Sequence, residues 1–199
     1  MNFLAHFLLA KAKDGWIVGN FLADFTKGND LTAFPQEIQE GIRLHRAIDS
    51  YTDQHPEVLK GVRRLYDRHS KYAPVLVDIY YDFILSRNWE TYADKSLRDF
   101  TLDIYEVLNK NILYLPAPLN RRFEMMYADD WLMKYAQLEG MRFTFQRMQY
   151  RVSKPELIED AVESLQLHFN DLNEEFNRFF PDLQAYVKSH VSKMEAGHS

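Results

Sequence analysis

The sequence predicts an all-α protein, and three observations carry that expectation. Apolar residues recur at three- and four-residue spacing almost throughout the chain. Runs of strict alternation and Asn-Gly hairpin turns are missing. The seven glycines and seven prolines are few enough to punctuate the periodic segments clearly. At 199 residues, 46% hydrophobic and 15% aromatic, the chain can bury one substantial core. Residues 1–199 are therefore read as one domain, a multi-helix bundle.

The first helix is expected over about 2–12, on the run Phe3-Leu4-Ala5-His6-Phe7-Leu8-Leu9. The second, over 15–27, lies between Gly15 and Gly28 and carries Phe21-Leu22-Ala23-Asp24-Phe25. Pro35 and Pro56 suit the first turns of helices over 35–54 and 56–69, where a missing amide hydrogen costs nothing. Pro74 marks the start of a helix over 73–87, whose body runs from Val75 to Leu85. Helices over 93–112, 118–135 and 137–150 follow, the first two separated by Pro116-Ala117-Pro118. Ser153 is a suitable N-cap for a helix over 155–177, with Glu156 three residues on completing a capping box. Pro181 opens the last helix, and the tail 192–199 is expected to fray.

Cysteine is absent, which excludes a disulfide framework, a thiolate nucleophile and a thiolate-ligated metal. No apolar run approaches the roughly 20 residues that span a bilayer, and the N-terminal stretch lacks a basic flank and a cleavage pattern. No membrane partner and a cytoplasmic location are expected. The net charge of −5 argues against a nucleic-acid partner.

The chemistry is carried by polar residues placed where a helix should be apolar. His6 and Asp24 interrupt the two runs above. His45 and Asp49 stand one turn apart in Ile42-Arg43-Leu44-His45-Arg46-Ala47-Ile48-Asp49, and Asp78 and Asp82 repeat that step. Residues four apart share a helix face, so each pair faces one way. Thr52 and Asp53 continue the face of His45, and Asn2 precedes His6 by the same step as Asn20 precedes Asp24. A lone charge among apolar neighbours costs several kcal/mol to bury unless it is paired or binds a metal.

Each residue has a plainer reading. His6 suits a hydrogen-bonded core histidine, Asp24 a cap with Asn20, and His45 with Asp49 an exposed pair on a helix whose solvated face bears Arg43 and Arg46. Four interruptions in four apolar contexts together favour a divalent metal between helices, with nitrogen and oxygen ligands suited to Mn, Fe, Zn or Mg. His55 reads as a helix-terminal residue or a substrate-facing acid. His69, His168, His190 and His198 read as structural or solvated, and the aromatic residues as core. Basic clusters at Arg63-Arg64, Arg68, His69 and Lys71, at Arg121-Arg122, and at Arg142, Arg147, Arg151 and Lys154 are solvated faces or docking patches for a phosphate or an acidic protein.

Three blocks in this order, Met1-Asn2-Phe3-Leu4-Ala5-His6, Gly19-Asn20-Phe21-Leu22-Ala23-Asp24-Phe25 and Gly41 to Asp49 running on to Thr52-Asp53-Gln54-His55-Pro56, closely resemble the acyl carrier protein phosphodiesterases. Tyr80-Tyr81-Asp82-Phe83 and Asn88-Trp89 fit as well. The resemblance is strong in the N-terminal half and extends beyond it by length and helical character. It implies a divergent, HD-domain-like, metal-dependent phosphohydrolase fold. The adjacent His-Asp dipeptide of that superfamily is absent, so His45 with Asp49, or His6 with Asp24, takes its place.

The resemblance further implies hydrolysis of the phosphodiester joining 4′-phosphopantetheine to a serine of holo-acyl carrier protein. The implied metal is Mn²⁺, with Mg²⁺ or Fe²⁺ as substitutes. A catalyst for an anionic diester needs a cation on its phosphoryl oxygens and a water of lowered pKa. The expected metal ligands are His6, Asp24, His45 and Asp78. Asp49 is a further ligand or an acceptor that fixes a histidine tautomer. Arg46 is placed to stabilise phosphoryl charge, and His55 or Asp82 to handle protons. Carrier proteins are acidic, so Arg63, Arg64 and Arg68 are the first candidates for docking the partner. The competing readings are a phosphohydrolase of a small phosphate ester or nucleotide, a di-iron oxygenase, and a non-enzymatic helical module that binds an acidic protein.

Overall fold

The computed structural model describes residues 1–28 and 30–196, so the reading of His198 lies outside the described residues. Among the described residues there are helices and no strands. In chain order they are α1 (Phe3–Ala10), α2 (Asp14–Leu22), α3 (Gln36–Gln54), α4 (Pro56–His69), α5 (Ala73–Arg87) and α6 (Trp89–Tyr92). Then come α7 (Leu97–Lys110), α8 (Ala117–Ala128), α9 (Trp131–Lys134), α10 (Leu138–Gln149), α11 (Ala161–Leu167) and α12 (Phe169–Ala196). No described helix is long and apolar enough to cross a membrane.

The middle of the bundle belongs to α1 and α5. A helix apolar on every face has to be buried. Seven residues of α1 are buried, from Phe3 to Ala10, and in α5 the unbroken run from Ile79 to Leu85 is buried. Around them α3, α4 and α7 each turn one apolar stripe inward, through residues such as Ile42, Leu65 and Ile104, and keep a polar face in water. Tyr81 packs against Phe176 and Phe179 of α12, with ring centroids at 5.3 and 5.8 Å. The last helix is thereby tied to the central one.

Two helices meet without side chains between them. A Cβ on Gly19 would stand 2.3 Å from the Ile38 carbonyl oxygen and 2.7 Å from the Gly41 Cα. A Cβ on Gly41 would stand 2.5 Å from the Trp16 oxygen. Only glycine at both positions lets α2 and α3 cross this closely. Trp16 adds a hydrogen bond across the contact, its Nε1 donating to Glu40 Oε2 at 2.9 Å.

Helix α1 is anchored by a carboxylate from outside its own sequence. Its first-turn amides are free of intrahelical partners. Asp82 of α5 accepts from the Leu4 amide at 2.7 Å and the Ala5 amide at 3.0 Å, and the side chain is fully buried. Burial pushes the Asp82 carboxyl up to about 7, and the two amide bonds pull against that rise.

Several boundaries differ from the sequence expectation. The helix expected over 155–177 is replaced by a 3-10 turn at Pro155–Leu157, then α11 and α12. The Ser153 cap is not made, because its hydroxyl faces Lys71 Nζ at 2.8 Å and the Tyr72 hydroxyl at 3.1 Å. Pro181 lies inside α12 instead of opening it. It removes one amide donor, but Phe176, Phe179, Phe180 and Leu183 bury the same stripe on both sides of it and carry the helix through. Residues 192–196 of the tail expected to fray are helical. Asp130, with φ of 48°, splits the segment expected over 118–135 into α8 and α9.

Gly41→Ala should force α2 and α3 apart and destabilise the protein by about 2–3 kcal/mol. A thermal melt should show a fall of roughly 5–10 °C. An unchanged midpoint would mean that the crossing relaxes without loss.

Candidate functional site

The N-terminal part of α1, the end of α2 and the middle of α3 bring their polar residues to one point. His6 and His45 stack face to face, with ring centroids 4.0 Å apart and planes 16° apart. Asp49 bridges them, Oδ1 lying 3.0 Å from His6 Nε2 and Oδ2 3.0 Å from His45 Nε2. Asp24, on the 3-10 turn Ala23–Phe25 that follows α2, sits 3.3 Å from His45 Nε2. One donor atom each from His6, His45 and Asp49 fall within 4.8 Å of one another. Both imidazoles are buried, and Asp24 and Asp49 stand at the solvent edge.

Asn20 sets the tautomer of His6. Its Nδ2 donates to the Trp16 oxygen at 3.0 Å and to the Gly41 oxygen at 3.1 Å. Turning the amide over would set its oxygen against two carbonyls, so Oδ1 must face His6 Nδ1, 3.1 Å away. His6 Nδ1 therefore carries the hydrogen, and the neutral ring presents its Nε2 lone pair to Asp49. His45 has no such lock, since its Nδ1 is buried without a hydrogen-bond partner.

The two histidines hold opposite charge states. Burial, reinforced by the neighbouring His45, lowers the His6 pKa to about 4. Burial also opposes charge on His45, but the hydrogen bonds to Asp24 and Asp49 outweigh it and raise its pKa to about 9. The same bonds hold both carboxyls below their usual range, Asp24 through His45 and Asp49, against its own burial, through both rings. At neutral pH the cluster has two carboxylates for one imidazolium. It also has a lone pair facing a carboxylate oxygen at 3.0 Å with no proton to share between them. Excess negative charge and two imidazole nitrogens aimed at one common carboxylate are the properties of a divalent-cation site.

The other residues named from sequence take separate positions. Asp78 lies 3.0 Å from the Met1 ammonium, which in turn is 3.4 Å from Asp49, so Asp78 borders the cluster through that ammonium. Asp82 is engaged with α1, as described. Arg46 donates from Nη2 to the Thr26 oxygen at 3.0 Å and the Gly28 oxygen at 2.8 Å, which clamps the turn after Asp24 to α3. His55 sits at the N-cap of α4, where its Nδ1 accepts from the Glu57 amide at 3.3 Å and its Nε2 faces Asp182 at 3.4 Å. Arg64 pairs with Asp171 at 3.2 Å and with Glu175, and Arg68 pairs with Asp160. Arg63 is exposed on the same helix and makes no ion pair among the described residues. His69 is structural, its two nitrogens each 2.7 Å from the Leu157 oxygen and the Ser164 hydroxyl.

Sequence reasoning missed Asn20 as the partner of His6. The available signal was an amide on an apolar helix, and its spacing from Asp24 drew attention to the wrong neighbour.

A model of the family described as acyl carrier protein phosphodiesterase matches residues 1–183. The chain is 30% identical to the acyl carrier protein phosphodiesterase of Pectobacterium atrosepticum, over 95% of this chain and 98% of that protein. It is 32% identical to the one from Salmonella dublin, over 93% and 96%, and 29% identical to the one from Photorhabdus laumondii, over 91% and 92%. The likeness therefore continues through α8 to α11 and into α12, well past the N-terminal blocks. No solved structure matches the chain.

In protein stripped of divalent cations, the raised His45 pKa contributes stability that is fully present below the unfolded value of 6.5 and is lost as pH rises through about 9. The urea midpoint should accordingly fall more steeply over this window for the wild type than for His45→Gln. Parallel curves for the two proteins would show that Asp24 and Asp49 do not hold that proton.

Proposed function

Because the chain belongs to the acyl carrier protein phosphodiesterase family, we propose that it hydrolyses the phosphodiester between 4′-phosphopantetheine and a serine of holo-acyl carrier protein. Water adds at phosphorus, the bond to the serine oxygen breaks, and that oxygen takes up a proton. The products are apo-acyl carrier protein and 4′-phosphopantetheine. The observation that carries this reading is the His6–Asp49–His45–Asp24 cluster, placed on the three helices that bear the sequence blocks of the resemblance.

A divalent cation fits this donor set, and when bound it supplies charge neutralisation at the phosphoryl oxygens and a water of lowered pKa. His6 and His45 through Nε2, with Asp24 and Asp49, would hold it. Two imidazoles favour Mn²⁺, Fe²⁺ or Zn²⁺ over Mg²⁺, which prefers an all-oxygen shell. Mn²⁺ is the proposed ion, and an HD-like arrangement of His and Asp residues on helices is part of the same reading.

The chain's own residues have distinct tasks in this reading. Asn20 keeps the His6 proton on Nδ1 so that Nε2 stays a donor atom. Arg46 fixes the backbone on which Asp24 stands. Asp82 anchors the helix that carries His6. Asp78 adds negative charge beside Asp49 and is assigned to the rim of the site.

Mass spectrometry of holo-acyl carrier protein incubated with the protein tests this directly. Loss of the phosphopantetheine mass is expected with Mn²⁺ and not with EDTA, and Asp24→Ala or His45→Ala, shown folded by circular dichroism, should abolish it. Asn20→Ala should lower the rate roughly 10–100-fold by releasing the tautomer. Cleavage of a generic aryl phosphodiester or a nucleotide with the carrier protein left intact would replace this reading by the small-phosphate one.

A further inference from the structure

A cavity of about 180 Å³ opens where α8, α9 and α10 lean against the start of α1 and the middle of α5, reaching Asn2, Phe3 and Ile79. Four cationic side chains converge on it: Arg122, Lys134, Arg147 and Arg151. Among the described residues, one carboxylate comes within ion-pair range of any of them, Asp129 at 3.7 Å from Arg147. Elsewhere on the surface Arg64, Arg68, Arg98 and Arg178 are all paired with acidic side chains. The cavity therefore gathers positive charge that the fold itself does not neutralise.

Aromatic rings hold Arg122, Lys134 and Arg147 in place without occupying their hydrogen-bond donors. Arg122 lies over Phe25 at 5.2 Å and Trp131 at 6.0 Å, and Arg147 over Trp131 at 5.3 Å and Phe143 at 5.4 Å. Lys134 lies over Phe143 at 4.7 Å. A ring face attracts a cation but accepts no strong hydrogen bond, so the guanidinium forks stay available. The Nε of Arg122 is buried with no acceptor at all. Burial lowers the Arg122 pKa, and Arg151 and Arg147 add to that. A buried donor without an acceptor, among like charges, is costly until an anion arrives.

The cavity adjoins the His–Asp cluster. Arg122 stacks on Phe25, the residue after Asp24, and the charge of Asp24 acts on it. Asn2 and Phe3 lead directly into the helix that carries His6.

We propose that this cavity is the subsite for a phosphoryl group carried on an uncharged organic arm. Arg122 and Arg151 contact the phosphoryl oxygens, and the arm lies along Trp131 and Phe143. The proposal rests on the phosphodiesterase reading for its place in the reaction, since it assigns the pantetheine side of the diester to this cavity. Mixed character argues for an arm over a bare anion: apolar surface from Ile79, Phe143 and Met148 lines the cavity beside the guanidinium groups.

Calorimetric titration of the full-length protein in EDTA tests it, with 4′-phosphopantetheine, pantetheine and inorganic phosphate as probes. The phosphorylated arm should bind at least tenfold more tightly than either fragment. Arg122→Gln should weaken it at least tenfold and the exposed Arg151→Gln at least threefold, whereas Asp24→Asn should leave it unchanged or tighter. Arg151→Gln carries the test even if Arg122→Gln fails to fold. Equal binding of inorganic phosphate and the phosphorylated arm, or indifference to both arginine substitutions, would overturn the proposal. Normal KM for holo-acyl carrier protein in both variants would remove the subsite and leave the phosphodiesterase reading standing. Arginine-dependent binding in a protein that cleaves no carrier protein would do the reverse.

Discussion

Helices α2 and α3 touch backbone to backbone because Gly19 and Gly41 bring no side chain to their crossing, and the geometry of the site follows from that contact. The Gly41 carbonyl comes close enough to accept from Asn20, which already donates to its own helix at Trp16. With both amide hydrogens committed, Asn20 has only its oxygen left for His6. A packing constraint between two helices thus becomes a statement about which nitrogen of a histidine bears its proton. That, in turn, decides whether Nε2 is available as a donor atom beside Asp49.

The bundle handles its buried charge in two different ways. Asp82 is wholly buried and satisfied by two backbone amides at the start of α1, so it serves the architecture. Asp24 and Asp49 are partly exposed and share a single imidazolium, so they keep negative charge in reserve. The first arrangement is closed to a ligand and the second is open to a cation. Both carboxylate types arise from the same pattern of acids on apolar helices, and only their partners separate them.

Positive charge is divided in a corresponding way. Two of the three arginines of α4 fold back onto acidic residues of α12 and of the segment before α11, where Arg64 meets Asp171 and Glu175 and Arg68 meets Asp160. Such pairs contribute little to stability at an exposed surface, but they reduce the charge that α4 offers to a partner. The cations around Trp131 and Phe143 lie against rings, and among the described residues only Arg147 also has a carboxylate in ion-pair range, so Arg122 and Lys134 keep their charge unpaired. Negative potential at the His–Asp cluster and positive potential at the adjoining cavity therefore meet near Asp24 and Phe25. An anionic diester beside a cation would need that juxtaposition.

The sequence by itself determined the helical class and marked His6, His45 and Asp82 as polar residues inside apolar runs, whereas Glu40 and Glu175, buried as well, stand in polar stretches that gave no such signal. Helical spacing of apolar residues is a local property, and a charge that breaks an apolar run is visible without coordinates. It was also enough to mark His6, Asp24, His45 and Asp49, but it set Asp78 among the ligands and Asp82 beside them, and the structure places these two at the Met1 ammonium and on the α1 amides. Tertiary structure alone decided that Asp49 bridges the two histidines while Asp82 caps α1, because both carboxylates sit four residues after a polar partner and look alike in sequence. It alone assigned Asn20 to His6, 14 residues away, and showed that Gly19 and Gly41 form the contact that sets the site. It also carried α12 through Pro181, where burial on both sides outweighs one lost amide bond. Spacing along a chain reports which face a residue occupies. What that face meets depends on how closely two helices approach, and the atoms that set the approach come from both.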